Sequence, residues 1–150
     1  MKKGFSLPLW VAASAKAAVK KLLDLPFDNH EFIKIPNNDV KKIKVHSAAS
    51  IKENNAALAI TFANSGLDLD ITNNLEIWVI ASLVKIENSE NGLKGIIDLI
   101  PGYGVGIDIN TEKICISDFA KKIIEVNLLE LIPKGLNCLL YTSPSPRDPM

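Results

Sequence analysis

The sequence predicts an α+β domain, a mostly antiparallel sheet with an alanine-rich helix at its amino-terminal side and a second helix near the carboxy terminus packed on it. Three observations predict it. Apolar residues recur at helical spacing from Val11 to Leu23, alternate with period two in short runs between Ile33 and Phe62, and return to helical spacing from about Ser117 to Ile132. Helices bracketing strands joined by short connections favour antiparallel pairing and a layered α+β fold.

At 100° per residue, Val11, Ala12, Ala15, Ala18, Val19, Leu22 and Leu23 share one stripe of the first helix, while Ser14, Lys20 and Lys21 lie away from it. Ser6 suits the cap, and Pro8 is tolerated in the first turn. Lys2, Lys3, the apolar run from Phe5 and Ala13-Ser14-Ala15 have the outline of a secretory leader. Ser6 and Pro8 interrupt its apolar part and the helical register continues past the supposed cut, so a helix of the domain is expected instead. Alanines on its buried stripe let the axis approach a sheet closely.

Ile33 and Ile35, then Ile43 and Val45, then Leu58, Ile60 and Phe62 alternate as strands with one buried face do. Pro36-Asn37-Asn38-Asp39 is the turn between the first two, and Lys52-Glu53-Asn54-Asn55 precedes the third. The segment from Leu75 to Ile86 is apolar on both faces, and periodicity leaves open whether it is a central strand or a helix. After the apolar run from Ile96 to Ile100, Gly102, Gly104 and Gly106 form a turn in which backbone can approach backbone or ligand without a Cβ in the way. The second helix presents Phe119, Ala120, Ile123, Ile124, Val126 and Leu131 on one side and ends at Pro133. Leu128, Leu129 and Ile132 fall outside that stripe, which predicts burial against something beyond the sheet.

The 150 residues, 47% of them hydrophobic, are enough to bury about two thirds of the surface the unfolded chain exposes. Seventeen basic side chains balance seventeen acidic ones, so the overall charge gives no reason to expect nucleic acid or an anionic membrane as partner. No apolar run reaches the length of a membrane span, and the chain is read as soluble and cytoplasmic. Cys115, Cys138, His30 and His46 have no metal-ligand spacing, and no metal site is expected. From Cys138 onward, Leu139 to Met150 abandons the Lys/Ile/Asn-rich style of the chain and carries three of its eight prolines. Residues 1–137 are therefore expected to form the domain, as the amino-terminal part of a longer protein. Residues 138–150 are expected to be a non-native, disordered tail.

Two glycine fingerprints fail at the turn. A dinucleotide pattern needs glycine where Ile107 or Ile109 stands, and a phosphate loop needs Lys and a hydroxyl where Ile107 and Asp108 stand. Asp68-Leu69-Asp70-Ile71-Thr72 matches the D-x-D-x-T of aspartyl-phosphate phosphatases, in which the first carboxylate attacks phosphorus. That motif directly follows a strand, whereas Ala63-Asn64-Ser65-Gly66 intervenes here. Lys42, Lys44 and His46 share one strand face, a solvated edge or a landing strip for carboxylates. Trp10 and Trp78, among apolar neighbours, are expected in the core.

Gly4-Phe5-Ser6 before the alanine-rich helix, then Gly66, Asp68, Asp70 and Thr72 in the central loop, then Gly102-x-Gly104-Val105-Gly106 leading to Cys115-Ile116-Ser117-x-Phe119-Ala120 occur in that order. Together with Asn127-Leu128-Leu129-Glu130-Leu131-Ile132-Pro133, they resemble the amino-terminal half of the cobalt-precorrin-5B (carbon-1) methyltransferase family, cyanobacterial type. The chain departs from the family's common opening Gly-Phe-Thr-Thr-Gly-Thr-Cys. It also lacks the lysine and two acids of the family's central loop, and Tyr103 stands where a glutamate is usual.

The resemblance implies methyl transfer from S-adenosylmethionine to carbon 1 of a cobalt-containing corrinoid precursor in cobalamin biosynthesis. The metal would arrive inside the substrate. Gly66, Asp68, Asp70, Thr72, Gly102, Gly104 and Gly106 are the substrate- or cofactor-binding residues it implies, with Lys42 and Lys44 available to the corrinoid carboxylates and Asp68 and Asp70 to the sulfonium charge. A missing carboxy-terminal half is the expected partner, and the 150 residues alone are expected to show no methyl transfer. A phosphatase built on Asp68 and Asp70, or a noncatalytic fragment, are the rival readings.

Overall fold

The computed structural model describes residues 7–51, 56–63, 75–85, 97–101, 107–108, 113–114, 118–133 and 136–144. Helix α1 (Leu7–Leu22) is followed by strands β1 (His30–Lys34), β2 (Val40–Lys44), β3 (Ser47–Ile51), β4 (Ala56–Ala63), β5 (Leu75–Lys85), β6 (Ile97–Pro101), β7 (Ile107–Asp108) and β8 (Lys113–Ile114). Helix α2 (Asp118–Leu128) and strand β9 (Leu136–Pro144) complete the order. β1 and β2 form an antiparallel ribbon, β7 and β8 a second short one, and the main sheet has the order β3-β4-β5-β9-β6. Its pairings are antiparallel except β6 with β9.

The segment whose periodicity was ambiguous is β5, in the middle of this sheet, flanked by β4 and β9. Apolar side chains on both of its faces suit a central strand. β3 has no strand-like alternation of large residues, only Ser47-Ala48-Ala49-Ser50 before Ile51, and is legible only from its pairing with β4. Between β1 and β2, Asn38 takes the left-handed conformation (φ 71°) that Asn tolerates well, and Ile35 N–H closes the turn on the Asp39 carbonyl at 2.9 Å. Asn29, also left-handed at φ 69°, donates through Nδ2 to the carbonyls of Val45 (3.3 Å) and His46 (3.1 Å), which ties the start of the ribbon to the chain's entry into the sheet.

α1 packs on β3, β4 and β5, and α2 packs on α1 and β1. Helix burial is therefore wider than one stripe. Ala13, Ser14 and Ala17 are as fully buried as Ala12 and Ala15, because the sheet covers one side of α1 while the ribbon and α2 cover another. The expectation that Ser14 faces away from the core is corrected by its hydrogen bond to the Thr61 hydroxyl, 2.9 Å long and buried. On β4 the face toward α1 is Ala57, Ala59 and Thr61, all inaccessible to solvent, and on β5 it is Ile77, Val79 and Ala81. Small residues on both helix and sheet permit the close approach that the alanines predicted. Leu58, Ile60 and Phe62 consequently point to the opposite face, where Leu58 and Ile60 are half-buried and Phe62 is exposed.

On α2, Ala120, Ile123, Ile124, Asn127 and Leu128 are buried, whereas Phe119 and Val126, expected on the packed side, are exposed. Asn127 joins the helix to β1. Its Oδ1 accepts from Lys34 N–H at 2.8 Å, and its Nδ2 donates to the carbonyls of Lys34 (2.9 Å) and Ile123 (2.7 Å). Residues 138–144 differ from the expectation of a disordered tail. They belong to β9, in register with β5 from Leu83↔Cys138 to Ile77↔Pro144, with Cys138, Leu140 and Thr142 buried. Alternation of Cys138, Leu140 and Thr142 with Leu139 and Tyr141 is a strand pattern despite the change of composition. Residues 145–150 lie outside the described residues.

Candidate functional site

The seven site residues expected from sequence, Gly66, Asp68, Asp70, Thr72, Gly102, Gly104 and Gly106, lie outside the described residues. The strand ends from which they depart are described. β4 enters the 64–74 connection at Ala63, which pairs with Leu75 at the start of β5. β9 runs antiparallel to β5, so its last residues sit beside the first of β5 (Ile77↔Pro144). β6 runs parallel to β9 and ends at Pro101, opposite Thr142. Segments 64–74 and 102–106 thus leave the same end of one sheet, from β4/β5 and from β6, with only β9 between β5 and β6. At about 4.8 Å per strand, β6 lies roughly 10 Å from β5.

Described side chains line this end. His46 N–H donates to the Ile60 carbonyl at 2.9 Å, which brings the ring of His46 edge-on to Phe62 with centroids 4.8 Å apart and planes at 87°. Nδ1 of His46 lies 3.2 Å from the Ser47 hydroxyl. Phe62 pairs across the ladder with Glu76, and Ile60 with Trp78. The Trp78 indole N–H donates to Glu76 Oε2 at 2.6 Å. Trp10 is in the core as expected, at 7% exposure, but Trp78 is half-buried on the face turned away from α1. Phe62, Trp78, Glu76 and His46 therefore form an aromatic rim with one carboxylate and one imidazole at the end of β4 and the start of β5. Sequence reasoning missed this set because it depends on register, although Phe62 and Glu76 do bracket the Asp-rich loop in the chain.

The ribbon carries a cationic face near the same region. Lys42 and Lys44 are exposed, opposite Phe32 and His30 in the ladder, and Lys42 Nζ stands 6.0 Å from the centre of the Phe32 ring. This face offers point charges to carboxylates and an exposed ring to an apolar surface.

A second charged group lies inward. Glu31 is buried between β1 and α1 with its side chain inaccessible, and Lys20 Nζ approaches its Oε1 at 2.9 Å. That contact is an ion pair at hydrogen-bonding distance, and Oε2 has no hydrogen-bond partner. Burial pushes the Glu31 carboxyl above the usual carboxylate range, against the pull of Lys20 and Lys16. Lys16, which donates to the Phe32 carbonyl at 2.8 Å, is lowered by its own burial. Among the described residues, no group of His, Cys, Asp and Glu is arranged to hold a metal ion, and no helix is long and apolar enough to cross a membrane.

The CbiD family model matches residues 1–142. The chain is 60% identical over 136 residues to the cobalt-precorrin-5B C(1)-methyltransferase of Prochlorococcus marinus strain MIT 9515, covering 90% of this chain and 37% of the relative. It has the same identity and coverage with the protein of that name from strain CCMP1986, and 42% identity over 131 residues with the one from strain SARG, where 84% of this chain and 34% of the relative are covered. The chain thus spans little more than a third of the length of the curated relatives it matches. No solved structure matches.

Proposed function

The chain belongs to the CbiD family, and from that premise we propose that it supplies the amino-terminal domain of an enzyme that methylates cobalt-precorrin-5B at carbon 1 with S-adenosylmethionine. The observation that carries the proposal is the strand register. Two loops separated along the chain, one with Asp68 and Asp70 and one with three glycines, start from a single sheet end.

The reaction is displacement at a sulfonium methyl. The ring carbon of the corrinoid donates an electron pair to the methyl carbon while the carbon–sulfur bond breaks and S-adenosylhomocysteine leaves neutral. Because the leaving group is already activated, the protein's work is to hold both reactants in line and exclude water. In this reading the glycine turn lets backbone N–H groups reach a substrate carboxylate. Asp68 and Asp70 favour the positive sulfonium in the ground state, and the aromatic rim of Phe62 and Trp78 gives the flat macrocycle an apolar wall. Lys42 and Lys44 take further peripheral carboxylates. The cobalt is part of the substrate.

The test is a chimera in which residues 7–133 of this chain replace the matching span of the MIT 9515 relative. We expect it to add one methyl group, seen by mass spectrometry, to the cobalt corrinoid in a reaction that consumes S-adenosylmethionine, and the 150 residues alone to add none. A folded chimera that binds neither reactant would overturn the reading.

A further inference from the structure

The main sheet has one face without a described cover. α1 lies on the side of Ala57, Ala59, Thr61, Ile77, Val79 and Ala81, and α2 packs on α1 and β1 rather than on the other side. The open face carries the larger residues. Leu58, Ile60, Trp78 and Ile80 are half-buried, and Ile51, Phe62 and Val84 keep 37%, 37% and 41% of their surface exposed. Ladder pairs Leu58↔Ile80 and Ile60↔Trp78 make the apolar area continuous across β4 and β5. A sheet that is apolar on both faces belongs in the middle of a three-layer arrangement. Monomers rarely leave large contiguous apolar patches in water.

We infer that this open face is the docking surface for the part of the whole protein that this chain does not span, which lays an apolar layer across Leu58, Ile60 and Ile80. Two facts select that occupant over a second copy. The relatives are spanned to only 37% of their length, so most of the protein is a further body of domain size. The rim of His46, Phe62, Glu76 and Trp78 borders the same face, so a body docked there would close the proposed site from the side that α1 does not reach. The choice of occupant rests on the family's length and, at the rim, on the proposed site.

Hydroxyl-radical footprinting of the 150-residue chain and of the chimera tests it without substrate. Labelling of Leu58, Ile60 and Ile80 is expected to fall several-fold in the chimera, while the labelling of Phe32 on the ribbon stays the same. Ile51→Lys and Val84→Lys, both at exposed positions remote from the rim, are expected to leave the melting temperature of the short chain unchanged and to lower that of the chimera by several degrees. Equal labelling of the sheet face in both proteins would overturn the inference. So would protection that appears in the short chain alone and rises with its concentration, since that would assign the face to a second copy.

Discussion

The two faces of β4 are built from opposite kinds of residue. Toward α1 stand Ala57, Ala59 and Thr61, inaccessible to solvent, against a helix whose Ala12, Ala13, Ala15 and Ala18 are equally inaccessible. Away from it stand Leu58 and Ile60, half-buried, and Phe62, exposed. On this strand side-chain size is thus inverted relative to burial. The difference teaches that residue size on a sheet reports the distance to its partner. Where the partner is an alanine-rich helix, small residues fill the gap; on the face that no described element covers, large ones stand.

Equal truncations on the two faces of β5 should separate them most. Ile77→Ala, on the covered face, is expected to cost about 2–5 kcal/mol in chemical denaturation, as buried large-to-small changes do. Ile80→Ala, three residues on, should cost well under half of that in the same experiment, and a cost equal to that of Ile77→Ala would break the comparison. Enlarging the small face is the converse. Ala59→Leu has no room against the alanines of α1 and should cost about 1–3 kcal/mol of overpacking, measured the same way.

A smaller effect concerns the polar contact across the covered face. Thr61→Val keeps the shape but leaves the Ser14 hydroxyl without its 2.9 Å partner, at an expected cost of about 1–2 kcal/mol. Thermal melts of the two proteins at one pH would show it.

The smallest effect is pH-dependent. Burial raises the folded-state pKa of Glu31 above its unfolded value, so the native state binds the more protons and stability declines as pH rises from the ordinary carboxylate range through the folded pKa. Glu31→Gln removes the buried charge and should flatten that decline. Its melting temperature should exceed that of the parent at neutral pH and converge with it as pH falls below the ordinary carboxylate range. A parent more stable at neutral pH would mean that the Lys20 pair outweighs the burial cost.

Much of this was legible in the chain. The alanine spacing of α1 announced close packing on a sheet, and alternation at Ile33, Ile43 and Leu58 to Phe62 located three strands. Which face each strand buries was not legible, because Leu58-Ala59-Ile60-Thr61-Phe62 invites the large residues inward and only the alanines of α1 decide otherwise. β3 was invisible because its small residues carry no period-two signal. The loops of the candidate site could be named from Asp68, Asp70 and the glycines. Their shared sheet end could not, since it depends on β6 running parallel to β9, a long-range pairing that no local pattern encodes.

That shared end is the central claim, and Gly104→Val in the chimera addresses it directly. A Cβ and two methyl groups in the glycine turn should displace backbone that touches a reactant, and kcat/KM for methyl transfer is expected to fall on the order of a hundredfold with the circular dichroism spectrum unchanged. Full turnover by that folded variant would contradict a site at this end of the sheet.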